Sequence, residues 1–358
     1  MSKGGNFIKG RGAQLNVSNK FEAHQHEFRD DFLNYCASEG DEVQKNKTVL
    51  IETFPKTIVN KVSSPDVGME YSLNPYQGCE HGCIYCYARN SHEYWGYSAG
   101  LDFERKILVK RNAVDLLEKR LRSKKWEAKP IILSGNTDCY QPIEKKLKVT
   151  RQLLETFLKY KHPVGIITKN ALVQRDMDIL RELAEDDLVS ITLSVTSLSE
   201  ETRSILEPRT ASIKKRLETI DKLSRANIPV NVMMAPIIPA INSHEIMPLA
   251  KEISERGALS LGYTIVRLNG AIAQIFTDWI KKTMPDRADK VLNQIKSIHG
   301  GNLNDSRYGT RMKGEGEFAT QVAQQFRLAR KIYFSDKERI KLNCKLHENF
   351  KDGQMKLF

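Results

Sequence analysis

Three of the six cysteines fall within eight residues, as Cys79, Cys83 and Cys86 in the stretch Gly78-Cys79-Glu80-His81-Gly82-Cys83-Ile84-Tyr85-Cys86-Tyr87. The spacing is C-x3-C-x2-C. These residues are packed too tightly for a disulfide framework, and Cys36, Cys139 and Cys344 are scattered along the chain. Clustered thiols in a chain without an export signal are more often metal ligands than disulfide partners. Three thiolates leave a tetrahedral structural zinc site one ligand short. His81 or His92 could supply the fourth, although His81 lies between two of the cysteines, a poor position from which to reach the same ion. Three thiolates on a four-iron cluster leave one iron open to a substrate or cofactor, which is a catalytic arrangement. On spacing alone an iron–sulfur cluster, zinc and unligated thiols all stay open.

Such ligands need a scaffold, and the residues downstream supply one. Apolar runs of strand length occur at Ile131–Leu133, Val164–Thr168, Val189–Val195, Val230–Met234 and Leu261–Val266. Helical patterns lie between them at 111–123, 147–161, 172–185, 212–226 and 243–256. Prolines at 130, 163 and 229 stand just before three of the strands. Strands alternating with helices of this length predict βαβ units and a parallel sheet. A doubly wound sheet and an open barrel both fit the rhythm. In either, ligands collect at the carboxyl ends of the strands. Further helical patterns follow at 272–283, 286–298 and 316–332. Upstream, residues 1–47 are polar, with a short helix expected near 23–38, and Thr48–Ile51 is a strand candidate.

The chain has 358 residues, 40% of them hydrophobic, with charges of mixed sign, which is a globular rather than a disordered composition. No apolar run is long enough for a membrane helix. The N-terminus has no apolar core or cleavage signal, so a cytoplasmic protein is expected. The net charge is +12, and residues 271–358 hold 17 basic against 10 acidic residues. A basic surface of this kind either docks on phosphate backbones or is simply solvated.

The cysteine motif, with an aromatic before its last cysteine (Tyr85) and a run of β/α units after it, resembles the radical SAM superfamily over residues 70–270. That resemblance implies an α/β fold: an open (β/α)6 partial TIM barrel at 70–270, preceded by an N-terminal extension at 1–69 and followed by a helical, basic C-terminal region at 271–358. It implies a 4Fe–4S cluster on Cys79, Cys83 and Cys86, with the open iron chelated by the amino and carboxylate groups of S-adenosylmethionine. It further implies one-electron cleavage of that cofactor to a 5′-deoxyadenosyl radical, which abstracts hydrogen from the substrate. A reducing partner such as flavodoxin or ferredoxin is implied as well. In such an enzyme the cofactors carry the hard chemistry, and the barrel binds, orients and excludes water.

Finer matches resemble spore photoproduct lyase and its wider relatives: C-x-Y-C-Y at 83–87, T-K at 168–169, Ser194, E-P-x-T at 207–210 and A-P-I at 235–237. By that similarity Tyr85 and Tyr87 flank the cofactor, and Asn136, Lys169, Ser194 and the backbone at Ala235 line its pocket. Each also has an ordinary structural role open to it, as packing aromatic, turn residue, solvated lysine or core serine. One departure matters. The lyase carries a hydrogen-donating cysteine three residues before an aspartate, and in Ser134-Gly135-Asn136-Thr137-Asp138-Cys139 that position is Gly135. Cys139 is the candidate relocated donor; a small buried hydrophobe is the alternative. Arg209 and Arg216 flank the E-P segment, and Arg209 could bind a carboxylate or phosphate bidentately or form a surface salt bridge. Tyr94-Trp95-Gly96-Tyr97 could stack a base or pack a loop. The substrate stays open between DNA or RNA and a protein or small molecule. A zinc- or cluster-binding nucleic-acid module without catalysis is the reading from another class.

Overall fold

Four helix-to-strand turns repeat one local geometry. The helices Val149–Lys159, Met177–Glu185, Ile213–Arg225 and Ile246–Glu255 run into residues of positive φ, namely Lys161, Asp187, Asn227 and Gly257. The next amide then bonds back into the helix: His162 N to Phe157 O, Leu188 N to Leu183 O, Ile228 N to Leu223 O and Ala258 N to Ile253 O, at 2.8–3.0 Å. This is how a helix closes on a left-handed residue and turns its chain back. All four donor residues are buried, so each turn delivers the chain straight into the sheet.

The computed structural model describes residues 7–21 and 47–351; the helix expected near 23–38, and Cys36 within it, lie outside the described residues. The strands are β1 (Val49–Thr53), β2 (Val59–Lys61), β3 (Tyr71–Leu73), β4 (Tyr76–Gln77), β5 (Lys106–Lys110), β6 (Ile131–Leu133), β7 (Val164–Thr168), β8 (Val189–Ser194), β9 (Val230–Ile237) and β10 (Leu261–Ile265). The main sheet has seven strands in the order β10-β9-β8-β7-β6-β3-β2. From β3 to β10 every neighbouring pair is parallel, and β2 closes the edge antiparallel to β3. A doubly wound sheet reverses its strand order at a switch point. Here the order never reverses among the six parallel strands. The winding is that of an open six-stranded partial barrel, which decides between the two architectures the sequence allowed.

The expected strands from residue 131 onward appear at their expected positions. The first barrel strand is Tyr71–Leu73, short and without an apolar run of its own. The expected strand at 48–51 exists but belongs elsewhere: β1 pairs parallel with β5 in a separate three-stranded sheet, β1-β5-β4.

The core fills the space between the sheet and its helices. Leu133, Ile166, Ile191 and Val232 from the strands meet Leu153, Leu180, Leu223 and Ile253 from the helices, all at 0–1% exposure. Each such side chain contributes about 1.5–3 kcal/mol of transfer free energy. A second cluster lies behind the cysteine loop. Ile84 and Leu206 pack there against Ile275, Phe276 and Trp279 of the helix Ile272–Thr283 and Val291 and Ile295 of the helix Pro285–Ile298. The helix Gly316–Tyr333 packs on Ile246–Glu255 and β10. Among the described residues no helix is long and apolar enough to cross a membrane.

Residues 7–21 cross the outside of the cysteine loop. Gly12 N and Ala13 N donate to the carboxylate of Glu104 at 3.2 and 2.8 Å, and Leu101 N donates to Leu15 O. Gly12 comes so close that an added Cβ would stand 1.8 Å from Gly82 O, inside the loop that holds the thiols. Only glycine permits this approach.

Candidate active site

The cysteine loop follows β4 and is anchored from several sides. Cys79 N donates to Phe103 O at 2.8 Å, Ile84 N to Leu206 O at 3.0 Å, and Arg209 N to His81 O at 3.2 Å. Arg89 threads beneath it: Nε donates to Cys83 O at 3.0 Å, and Nη2 pairs with Glu104 Oε1 at 2.6 Å, both side chains fully buried. The same Glu104 holds Gly12 and Ala13, so one buried ion pair joins the N-terminal segment to the loop. Glu80 is fixed as well, accepting from Thr48 Oγ1, Ile143 N and Arg209 Nη2. Arg209 therefore meets a protein carboxylate.

Cys79, Cys83 and Cys86 are free thiols. They line one cavity of about 430 Å³ together with Tyr85, Tyr87, Asn136, Lys169, Ser194 and Ala235. All nine were singled out in the sequence, and all but the aromatics and thiols sit at or near the carboxyl ends of β6 to β9. The structure does not bring Cys139 to this cavity. Its side chain is at 0% exposure in the main core, with its N bonded to Ser134 Oγ and its O to Thr150 Oγ1. The buried-hydrophobe alternative describes that position, because the strand-end turn carries the 139 side chain inward while it presents 134–138 to the cavity.

At the cavity floor is a buried polar network that the sequence did not announce. Glu207, fully buried, pairs with Arg216 Nη2, itself fully buried, and lies 3.3 Å from Lys169 Nζ. It also accepts from Thr196 Oγ1 at 2.6 Å and from the Tyr85 hydroxyl. Burial by itself pushes the Glu207 carboxyl up. The charges of Arg216 and Lys169 outweigh it and, with the two hydroxyls, hold the group well below the usual carboxylate range. Lys169 Nζ also reaches Ala235 O at 3.4 Å and lies 5.7 Å from the centre of the Tyr85 ring. Arg216 further donates to Ser194 O. One anion thus orients Tyr85, Lys169 and, through Arg216, the end of β8. The available signal was the E-P motif followed by an arginine one helical segment later; Arg216 forms a fully buried ion pair.

A second pair sits beside the thiols. His81 Nδ1 is 3.3 Å from Asp138 Oδ2, and Asp138 accepts from Thr168 Oγ1, Lys169 N and Tyr140 N, each at 2.8 Å. Burial raises the Asp138 carboxyl, but His81 and these donors win and keep it low. Asn136 Nδ2 bonds Ser91 Oγ and Gln77 Oε1, and Tyr87 donates to Gly135 O at 2.6 Å. At Gly135 itself a Cβ would stand 2.7 Å from Ser72 Cβ and 3.5 Å from Met69 Sδ. The space beside Gly135 is thus taken by neighbouring side chains.

The thiols suit a cluster. Burial pushes all three up from the ordinary cysteine range, a cost that a bound cationic centre would offset. Among the described residues no three His, Cys, Asp or Glu side chains are grouped to hold a single ion. The three thiols line the same cavity.

Comparison with known proteins agrees with the geometry. An uncharacterized protein of Mycobacterium bovis is 29% identical over 238 residues, covering 66% of this chain and 70% of the relative. One from Methanocaldococcus jannaschii is 27% identical over 250 residues, covering 70% and 89%. Among solved structures, a point mutant of spore photoproduct lyase superposes with a TM-score of 0.61 at 18% identity, over 80% of this chain and 79% of that one. The same lyase complexed with dinucleoside spore photoproduct gives 0.58, at 18% identity and 80% coverage of each chain. The fold is therefore shared with that lyase. The family model described as the radical SAM superfamily matches residues 73–253, the segment that begins at the end of β3, contains the three cysteines and runs through the β/α units. With half the chain matched and the cysteine-lined cavity in its expected place, this chain belongs to the radical SAM superfamily and is an enzyme that uses S-adenosylmethionine and an iron–sulfur cluster.

Proposed function

We propose that the cavity holds a 4Fe–4S cluster on Cys79, Cys83 and Cys86, with S-adenosylmethionine beside it against Tyr85, Tyr87, Asn136, Lys169, Ser194 and Ala235. The observation that carries this reading is that three free thiols and these strand-end residues line a single cavity at the carboxyl ends of the barrel. Bound there, the two groups would supply radical chemistry that removes a hydrogen atom from a substrate carbon. The chain's own work is positioning. Glu207 fixes Lys169 and Tyr85, Asp138 fixes His81, and the N-terminal segment covers the outer side of the loop. A one-electron donor of the flavodoxin or ferredoxin type supplies the electron, in the reducing cytoplasm where free thiols persist.

The net reaction is of lyase or oxidoreductase type and differs from thiol-mediated dimer reversal. Gly135 has no thiol and no room for one, and Cys139 is buried in the core. Hydrogen abstraction without a returning protein thiol at these positions is the reading favoured. Anaerobic reconstitution with iron and sulfide, then reduction in the presence of S-adenosylmethionine, tests it: 5′-deoxyadenosine should form. Protein that takes up iron yet never yields that product is not this enzyme.

A further inference from the structure

Three Lys and Arg side chains line the cavity: Lys169, Arg267 and Arg311. Two of them have protein anions. Lys169 Nζ lies 3.3 Å from Glu207 Oε1, and Arg311 Nε lies 2.5 Å from Asp66 Oδ2. Arg267 has none: among the described residues no hydrogen bond or ion pair takes up its guanidinium. It stands two residues beyond β10, partly buried, on the strand-end rim where this fold binds ligands. A guanidinium stays charged, and removing it from water without an anion is costly. Burial and the nearby Arg311 charge both act against the Arg267 cation, and Tyr87 and Asp66 only partly offset them. The charge is left over for something that enters the cavity.

S-adenosylmethionine does not answer to it. Its one anionic group is the carboxylate, which the superfamily resemblance assigns to the open iron. The remaining candidate is the substrate. A carboxylate is satisfied by one guanidinium fork, whereas a phosphate offers more oxygens than one fork can take. Arg311 lies beside Arg267 and spends Nε on Asp66 and Nη2 on Ser64. Its Nη1 has no partner among the described residues. Two neighbouring guanidiniums with unused donors match a phosphate, and the net charge of +12 draws polyanions toward the chain.

We propose that Arg267, with the unused edge of Arg311 beside it, binds a phosphate group of the substrate. The substrate is then phosphate-bearing, a nucleotide or a nucleic-acid strand. The proposal rests on the radical-enzyme reading of the cavity and names the substrate class for it.

The test uses the full chain, reconstituted anaerobically and loaded with S-adenosylmethionine. Calorimetry measures the Kd of inorganic phosphate, thymidine 5′-monophosphate, a short single-stranded oligothymidylate and, as the carboxylate control, succinate. Arg267→Gln should weaken the phosphate probes about 10-fold or more, the scale of a charge-assisted hydrogen bond, and Arg267→Lys should recover part of that. Iron content and the Kd of S-adenosylmethionine should match the unaltered protein, which shows that Arg267→Gln is folded. Tighter, strongly salt-dependent binding of the oligonucleotide identifies a strand as the source of the phosphate; monophosphate binding of equal or greater strength identifies a nucleotide. Four results overturn the proposal alone: no phosphate probe binds, Arg267→Gln binds them equally well, succinate binds better with the same arginine dependence, or Arg267→Gln loses affinity for S-adenosylmethionine. Failure of the unaltered protein to take up iron overturns the radical-enzyme reading instead, and the proposal with it.

Discussion

Arg311 and Asp66 join the two edges of the open sheet. Asp66 lies in the turn between β2 and β3 at one edge, and Met312 O, one residue beyond Arg311, accepts from Ile265 N at the end of β10 on the other. Arg311 Nε donates to Asp66 Oδ2 at 2.5 Å, and Asp66 Oδ1 accepts from Gly309 N at 2.7 Å. The gap of the partial barrel is thus bridged by one carboxylate that is bonded to a backbone amide and an arginine, at the rim of the cavity.

Removing that carboxylate should loosen both sides of the bridge together. In Asp66→Ala the amides of 62–69 and 305–312 should exchange hydrogen faster, while the helix Val149–Lys159 keeps its protection. Unchanged exchange at Gly309 would mean that the bridge contributes nothing to closing the rim.

The Glu207–Arg216 pair should be costly to break and cheap to remove. Arg216→Met leaves a carboxylate buried beside fewer cations, and denaturant unfolding of the cluster-free protein should show a loss of about 3–5 kcal/mol. Arg216→Met combined with Glu207→Gln should recover much of that loss, since no uncompensated anion remains. Equal instability in the single and double variants would contradict the assignment of Glu207 as the charge being neutralised.

The same carboxylate sets an acid limb. Glu207 is depressed in the folded chain, so it stabilises the fold above its unfolded value of about 4.3, and that contribution drains away as pH falls from there through the folded value. Asp138 acts in the same sense from about 3.9. Thermal unfolding midpoints of the cluster-free protein should therefore hold level from neutral pH to about pH 5 and drop below it. Glu207→Gln should be less stable at neutral pH and show a shallower acid limb. A variant limb as steep as that of the unaltered protein would point to other groups.

Gly135 yields a packing prediction. A side chain there meets Ser72 Cβ at 2.7 Å, so Gly135→Cys should lose about 1–3 kcal/mol from overpacking. Ser72→Gly in the same chain should restore most of it. A fully stable Gly135→Cys would show that the space exists and would reopen a thiol at this position.

The sequence made the barrel legible where apolar runs and helical periodicity were long, from Ile131 to the helix ending at Tyr333. It hid the first barrel strand, because Tyr71–Leu73 is three residues with a serine at its centre and gains its identity only by pairing with β6 and β2. Asn136, Lys169, Ser194 and Ala235 were named by the resemblance to spore photoproduct lyase and are consistent with the strand-end rule, and the four line one cavity. The same rule, applied to the last apolar run at Leu261–Val266, would have pointed to Arg267. Cys139 shows its limit: one residue past Asp138, the turn sends the side chain into the core. Glu104, Arg89 and Glu207 were illegible for a physical reason. Arg89 and Glu104 stand 15 residues apart and Glu207 and Arg216 nine, but tertiary packing decides that these charges are buried, and nothing local distinguishes them from solvated ones.

The central claim is that Cys79, Cys83 and Cys86 hold the radical-generating cluster. Iron and sulfide analysis of the anaerobically reconstituted protein and of Cys83→Ala, each followed by assay for 5′-deoxyadenosine after reduction with S-adenosylmethionine present, tests it most directly. The account predicts iron and sulfide in the stoichiometry of a four-iron cluster and formation of 5′-deoxyadenosine for the unaltered protein, with both lost in Cys83→Ala and both retained in Cys344→Ala. Iron content and product formation that survive Cys83→Ala would contradict it.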